Sequence, residues 1–329
     1  MQWRFLLFNR QVGYDLYPPA TPLTCFKGYP NFYPRPDKEH PLGSPLPAYV
    51  WTESKDKPNW VGHLASKHKA NPDLLVYNYA VGGDNVRALE NQVKKRFLPH
   101  AGTQPDWAPW KSNNTLFGTY EGPARLSIRI LMITSDLDWD QRLRVRLSNH
   151  SIPISDRSNP ISRTSNSDEA IEQTQKKLFD LQQELYLEGA RNFLFIDVPP
   201  MEKSPACELV PSLFSLRILN AHWVTVPKDA GPSAGRTYER WNEILRKNVK
   251  AFLSENKDVT TMVLSSWEFF NLVFQTPSKY GFGEGDIRRR YGPVWADHLH
   301  PTSRMHEHFA AWVNEFLSGN PVGASAQLD

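Results

Sequence analysis

Short apolar runs alternate with amphipathic segments of helical period along most of this chain. Residues 74–81, 191–198 and 259–264 are apolar runs of strand length, as is typical of strands buried on both faces. Residues 168–187 and 238–253 place apolar side chains at helical spacing. Strands that alternate with helices predict an α/β fold built on a doubly wound parallel sheet. The three apolar runs are expected to be parallel neighbours in that sheet, with helices on both faces.

Local signals predict where two further helices begin and where one helix ends. Asn59 is a favourable N-cap for a short helix over residues 59–68. Thr302 suits the same role ahead of residues 305–316, whose apolar side chains recur at helical spacing. Gly189 is expected to end the amphipathic helix before it, because glycine readily adopts the left-handed conformation found at helix C-termini.

The composition narrows the possible functions. Of the 329 residues, 40% are apolar and 12% aromatic, which is enough to fill a large core. A formal net charge of +3 is too small to indicate a nucleic-acid partner or an anionic membrane, and the basic clusters at 94–96 and 288–290 are interpreted as solvated surface. No apolar run is long enough to predict a membrane span. Two cysteines, Cys25 and Cys207, define no disulfide framework.

Asp297 and His300 form the clearest candidate for chemistry. An Asp three residues before a His can place its carboxylate against the imidazole, which fixes the tautomer and stabilises the imidazolium formed when the His accepts a proton. The pair is expected on a loop just before the C-terminal helix, where reactive groups are often displayed. The alternative is a surface loop whose Asp and His only cap that helix.

The block Asp297-x-x-His300-Pro301-Thr302 resembles the last motif of the SGNH, or GDSL, esterase superfamily. Further segments, in matching order, are similar to its fungal branch, the family 16 carbohydrate (acetyl) esterases. The similar segments are residues 41–45, 59–64, 75–83, 189–200, 241–245 and 280–282. Together the resemblance covers roughly residues 40–117, 168–206 and 236–317. Several motifs in the right order are more specific than any single motif.

The resemblance implies a single SGNH-hydrolase-like domain over residues 1–329 with a flavodoxin-like three-layer α/β/α fold. Irregular, atypical insertions are expected at 118–167 and 207–235. The implied function is hydrolysis of carboxylic esters, with small acyl esters or acetylated carbohydrate as substrates and with no cofactor. Secretion is also implied, although residues 5–8 are too short for the apolar core of a signal peptide, and a cytoplasmic location is the alternative. The oligomeric state stays open.

Roles for individual residues follow from the same resemblance. His300 would be the general base and then the general acid, with Asp297 as its orienting partner. Gly83 would offer its backbone N–H to the oxyanion, with Gly82 as the neighbouring candidate. An ordinary strand-to-helix turn is the alternative explanation of this Gly-Gly pair.

Two motifs of the superfamily are missing. Its nucleophile lies in a Gly-Asp-Ser motif after the first strand, but here the apolar residues 5–8 lead into Asn9-Arg10-Gln11. The Gly-x-Asn-Asp motif after a middle strand is replaced by Gly118-Thr119-Tyr120-Glu121. The nucleophile is therefore unknown; Ser135 follows an apolar run but would need a rearranged topology. We expect impaired activity, or an inactive relative that binds carbohydrate or a protein partner.

A metal-dependent hydrolase is a third hypothesis, suggested by two His-x-His pairs. His298, His300, His306 and His308 have side chains that can bind zinc or copper. However, His306 and His308 are two residues apart on a predicted helix and point in different directions. We therefore predict that both are solvated helix residues and that no metal site is present.

Overall fold

A computed structural model describes residues 4–8, 35–43, 52–54, 56–68, 74–80, 86–120, 160–205 and 231–319. Within these ranges five strands form one sheet in which every pairing is parallel. The strands are β1 (Arg4–Phe8), β2 (Leu75–Asn78), β3 (Thr115–Tyr120), β4 (Asn192–Ile196) and β5 (Thr260–Leu264). Their order is β2-β1-β3-β4-β5, the flavodoxin-like order in which the direction of winding reverses between β1 and β3.

Six helices connect or follow these strands in the described part of the chain. They are α1 (Trp60–Ser66), α2 (Val86–Glu90, continued as a π-helix over Asn91–Phe97), α3 (Pro160–Leu187), α4 (Gly231–Glu255), α5 (Ser266–Gln275) and α6 (Ser303–Gly319). Short 3₁₀ turns lie at Ala101–Thr103, Met201–Lys203, Pro277–Tyr280 and Glu284–Asp286.

One face of the sheet is covered by α2, α3 and α4. Phe117 of β3 contacts the ring of Phe97 at the end of α2, with 5.7 Å between ring centroids. Phe195 of β4 stacks on Phe179 of α3 at 5.2 Å. Because Phe117 pairs with the residue two positions before Phe195, and alternate strand residues share a face, these contacts lie on the same side.

The opposite face is covered by α1, α5 and α6. Tyr120 of β3 is an odd number of residues from Phe117, so its side chain points to the other side of the sheet. Its ring contacts Trp60 of α1 and Phe309 of α6 at 6.3 and 6.5 Å. Phe269 of α5 packs on Phe309 at 5.2 Å. The result is the three-layer α/β/α arrangement that was predicted.

Both predicted N-caps are present. The side chain of Asn59 accepts hydrogen bonds from the backbone N–H groups of Val61 and Gly62. Thr302 Oγ1 accepts from the N–H of Met305 at 3.2 Å. Each oxygen satisfies N–H groups that have no partner within the first turn of a helix, so the local sequence alone fixes these helix starts.

The doubly wound parallel sheet is confirmed, with corrections to its details. The runs at 74–81, 191–198 and 259–264 share one sheet, but they were predicted to be neighbours, and β1 and β3 separate the first from the other two. Residues 118–120 continue β3, although 118 was the expected start of an atypical insertion. Gly118 has low strand propensity, but pairing with both β1 and β4 overrides that local preference.

Helical residues also reach into the two stretches interpreted as insertions. The helix α3 begins at Pro160 rather than at 168, and α4 begins at Gly231 rather than at 238. Proline is tolerated in the first turn because its missing N–H would have no helical partner there. The division into one domain with insertions at 118–167 and 207–235 stays a prediction.

Candidate active site

The loop that precedes α6 lies at the carboxyl edge of the sheet. Ser303, the first residue of α6, donates from Oγ to the Pro58 carbonyl oxygen at 2.6 Å, so α6 starts beside the start of α1. The start of α1 in turn lies beside the carboxyl end of β3, where the rings of Trp60 and Tyr120 meet. Open α/β sheets bind their ligands at this edge.

The candidate loop is held by a buried tryptophan and by backbone pairing. Trp295 Nε1 donates to the Ile287 carbonyl oxygen at 2.6 Å, and the backbone of Trp295 forms an antiparallel bridge with Pro301. Inside that bridge the N–H of Ala296 donates to the His300 carbonyl oxygen at 2.8 Å. The loop is therefore a closed turn with its own hydrogen bonds, which restrains the residues at its tip.

Asp297 and His300 are in direct contact at that tip. His300 Nδ1 is 2.7 Å from Asp297 Oδ2. The other carboxylate oxygen accepts from the backbone N–H groups of Leu299 and His300, each at 2.7 Å. Asp297 is only 7% exposed. These three hydrogen bonds fix the carboxylate in the plane needed to orient the imidazole.

The environment keeps Asp297 ionised at neutral pH. Burial raises the pKa of Asp297, but the hydrogen bond from the His300 side chain, the charge of that ring and the two backbone N–H groups outweigh it, and the net pKa is lowered. An ionised carboxylate only accepts hydrogen bonds, so Nδ1 of His300 carries the proton. The basic nitrogen of the neutral ring is then Nε2.

A comparison with known proteins gives a relative of this chain. The chain is 27% identical over 300 residues to an acetylesterase of Thermothelomyces thermophilus, covering 87% of this chain and 82% of the relative. This chain is related to an acetylesterase. The relative is an esterase, the class of enzyme that the sequence motifs of this chain resemble. No family model matches the chain.

Two solved structures of esterases are also similar over nearly the whole chain. One is an extracellular lipase from Streptomyces rimosus, with 9% identity, a TM-score of 0.43, and coverage of 95% of this chain and 99% of that chain. The other is a catalytic mutant of an acetylxylan esterase from Geobacillus stearothermophilus, with 14% identity, a TM-score of 0.45 and 99% coverage of each.

Several predicted site residues lie outside the described part of the chain. Gly82 and Gly83 are among them, as are Ser135 and the Asn9-Arg10-Gln11 segment. The strand β2, which precedes the two glycines, ends at Asn78, on the edge of the sheet where the Asp297 loop lies. The roles of these residues, and those of Asp297 and His300, stay predictions.

The prediction that His306 and His308 are solvated is wrong. His306 is 6% exposed, and its Nε2 has no hydrogen-bond partner among the described residues. His308 is half-buried, with Nε2 3.0 Å from the Tyr280 carbonyl oxygen. The physical reason is that α6 is covered on two sides, by α1 and by the segment around residue 280. Within the described ranges no group of three or more His, Cys, Asp or Glu residues could hold a metal ion.

Sequence reasoning missed Asp197, a fully buried carboxylate that directly follows β4. Its Oδ2 accepts from Arg246 and from Ser265 Oγ, both at 2.8 Å. Its Oδ1 accepts from Ser266 Oγ at 3.0 Å and from the Trp267 N–H at 2.9 Å. Burial raises the pKa of this carboxyl despite these partners. A charged residue immediately after an apolar strand was the available signal.

The described helices include none that combines the length and apolar character needed to cross a bilayer.

Proposed function

We propose that this chain is an SGNH-type hydrolase of carboxylic esters in which His300 is the general base and Asp297 orients it. The observation that carries the proposal is the 2.7 Å contact between the two side chains on a loop at the carboxyl edge of a flavodoxin-like sheet. The acetylesterase relative supports small acyl esters, such as acetyl groups on carbohydrate, as the substrate class. Export from the cell is part of the proposal on the resemblance alone.

The proposed reaction needs a hydroxyl nucleophile beside His300. As the hydroxyl oxygen attacks the ester carbonyl carbon, Nε2 accepts its proton and the imidazolium is stabilised by the Asp297 carboxylate. The N–H of Gly83, or of Gly82, would stabilise the oxyanion. The imidazolium then returns the proton to the leaving alcohol as the ester C–O bond breaks, and water repeats the sequence to release the acid.

The resemblance implies a nucleophile directly after the first strand, but it does not identify the residue in this chain. The strand β1 is an internal strand between β2 and β3, and it ends at Phe8 beside the point where the winding reverses. The following residues are Asn9-Arg10-Gln11, and residues 1–20 contain no Ser or Thr. We propose that the chain is impaired for this reason. The same observation favours a second candidate, an inactive relative that binds carbohydrate or a protein partner.

Restoring the missing turn tests the proposal. The triple substitution Asn9→Gly, Arg10→Asp and Gln11→Ser is expected to create hydrolysis of p-nitrophenyl acetate in a chain that is otherwise nearly inert. Adding His300→Ala should lower the new rate by at least about 100-fold, because a Ser hydroxyl without a general base is a poor nucleophile. The matched control carries Asn9→Gly, Arg10→Asp and Gln11→Ala. It should stay inert because it has no hydroxyl group at position 11.

Two outcomes would contradict the proposal in different ways. Strong activity in the unmodified chain would mean that the nucleophile lies elsewhere, and Ser135→Ala would then be the first variant to assay. A repaired chain that folds, as judged by circular dichroism, and yet hydrolyses nothing would favour the inactive, carbohydrate-binding relative.

A further inference from the structure

A group of exposed residues, here named the basic rim, directly precedes the candidate loop. It consists of Arg288, Arg289, Arg290 and Tyr291, all of which are exposed. Tyr291 is one of the two large hydrophobic residues with high exposure in the described chain, at 66%. Arg289 is paired with Asp286, with 2.9 Å between Nη2 and Oδ1. The guanidinium groups of Arg288 and Arg290 add two further positive charges beside the exposed aromatic ring.

The basic rim is attached to the Asp297–His300 pair through backbone contacts. Arg290 forms a parallel bridge with Trp295, and the N–H of Gly292 donates to the Trp295 carbonyl oxygen at 3.0 Å. Trp295 is only two residues before Asp297. The pKa of His298 is lowered, first by burial, and the charge of Arg290 adds to this effect. The backbone bridge therefore places Arg290 beside the segment that leads into the candidate pair.

The conformation of Tyr291 is unusual for its residue type. Its φ of 55° lies in the left-handed region, which non-glycine residues adopt rarely and at a cost. The guanidinium of Arg290 lies 4.6 Å from the centroid of the Tyr291 ring, and Arg290 donates to the Tyr291 hydroxyl at 2.7 Å. Strained backbone of this kind occurs disproportionately at ligand-binding positions. At Tyr291 this backbone conformation accompanies an aromatic side chain that is exposed and not buried.

We propose that the basic rim binds the carboxylate groups of an acidic, acetylated polysaccharide, so that uronic acid residues seat the chain while an acetyl ester faces His300. This proposal rests on the proposed function for its acetyl ester. Guanidinium groups suit the task because they bind carboxylates through paired N–H donors. The exposed face of Tyr291 offers an apolar surface for a sugar ring.

Binding measured by isothermal titration calorimetry tests the basic rim without requiring catalysis. The probes are acetylated oligogalacturonate and the same oligosaccharide with its carboxyl groups converted to amides. The acidic probe should bind at least about fivefold more tightly, and the variant Arg288→Gln/Arg290→Gln should lose most of that preference, because two charge contacts are removed. Higher salt should weaken only the acidic probe.

Two further variants separate the basic rim from general charge effects. Lys250→Gln/Lys257→Gln removes the same charge near the amino edge of the sheet, where α4 ends and β5 begins, and should leave binding unchanged. Tyr291→Gly should weaken both probes and also stabilise the fold, since glycine adopts positive φ without strain. Arg290→Lys keeps the charge and should retain most of the preference even if the double Gln variant folds poorly.

Three results would overturn the basic rim proposal. The two probes could bind equally, or neither could bind, or the Lys250→Gln/Lys257→Gln control could lose as much of the preference for the acidic probe as the Arg288→Gln/Arg290→Gln variant. Failure of the proposed function is distinguishable from these results. If a repaired chain binds the acidic probe selectively but hydrolyses no ester, the hydrolase proposal is contradicted and the basic rim proposal is supported. If a repaired chain hydrolyses p-nitrophenyl acetate but shows no preference for the acidic probe, the hydrolase proposal is supported and the basic rim proposal is contradicted.

Discussion

His306 is a buried imidazole beside the interface between α6 and α1. Burial lowers its pKa to about 3, and the nearby imidazoles of His63 and His300 add to the effect. His63 is itself buried, with Nε2 2.9 Å from Ser303 Oγ and a pKa lowered mainly by burial. Two imidazoles that must stay neutral thus lie in the helix pair that carries the candidate loop.

Replacing His306 should make the fold less sensitive to acid. An unfolded histidine titrates near 6.5, so between pH 6.5 and about 3 the unfolded chain binds one more proton than the folded chain. Stability therefore falls as pH decreases through that window and is unaffected by this group above it. When the pH is lowered from 7.5 to 4.5, the free energy of unfolding in urea should fall by about 3 kcal/mol more for the unmodified chain than for His306→Leu. Parallel losses in the two proteins would contradict this.

The candidate pair could be predicted from the sequence, whereas the burial of the neighbouring histidines could not. The contact between Asp297 and His300 spans three positions on one loop, and local spacing is enough to indicate it. The environment of His306 and His308 depends on what packs against α6 from distant parts of the chain. A helical pattern shows that such residues point in different directions, but it does not show that two sides of the helix are covered.

The end of α3 is a helix terminus that local sequence determines. Gly189 has a φ of +104°, its N–H donates to the Tyr186 carbonyl oxygen, and the next N–H, of Ala190, donates to the Leu185 carbonyl oxygen, both at 3.0 Å. This pair of bonds is the Schellman motif. The predicted helix end is therefore confirmed, because everything it needs lies within six residues.

Substituting Gly189 should cost stability through the backbone alone. A Cβ at this position would meet only the Trp110 ring, at an ordinary distance of 3.8 Å, so no clash is involved. The positive φ is unfavourable for alanine, and Gly189→Ala should lower the free energy of unfolding by about 1–2 kcal/mol in urea. Gly285→Ala, at a position where a Cβ meets nothing within 4 Å, is the control and should be close to neutral. An equal cost at both positions would refute the backbone explanation.

The order of the strands is what brings the candidate site together, and it is not readable from the alternation of elements. That alternation predicts a parallel sheet, but not that β1 lies between β2 and β3 or that β2 is remote from β4. Strand lengths are set in the same way by distant partners, as the continuation of β3 through Gly118 shows. The sequence therefore predicted the architecture and the contact between Asp297 and His300, while the strand order and strand lengths depend on long-range pairing.

Asp197 is the residue that joins most of these distant elements. It follows β4, pairs with Arg246 of α4, and holds Ser265 and the N-terminus of α5 just after β5. The helix α5 then packs through Phe270 on Trp295 of the candidate loop, with 6.3 Å between ring centroids. The carboxylate thus ties the carboxyl edge of the sheet to the layer that supports Asp297.

The hydrogen bonds of Asp197, more than its ion pair, should account for its contribution to stability. The Asp197 side chain is 0% exposed, whereas that of Arg246 is 43% exposed, so solvent screens the ion pair from one side. Asp197→Ala leaves several buried donors without an acceptor and should lower the free energy of unfolding by about 3 kcal/mol. Arg246→Met removes only the screened partner and should cost about 1 kcal/mol or less. Urea unfolding of both variants and of the double variant measures the difference. If Arg246→Met lowered the free energy of unfolding as much as Asp197→Ala, the ion pair with Arg246, and not the hydrogen bonds, would be the main interaction that stabilises the buried carboxylate.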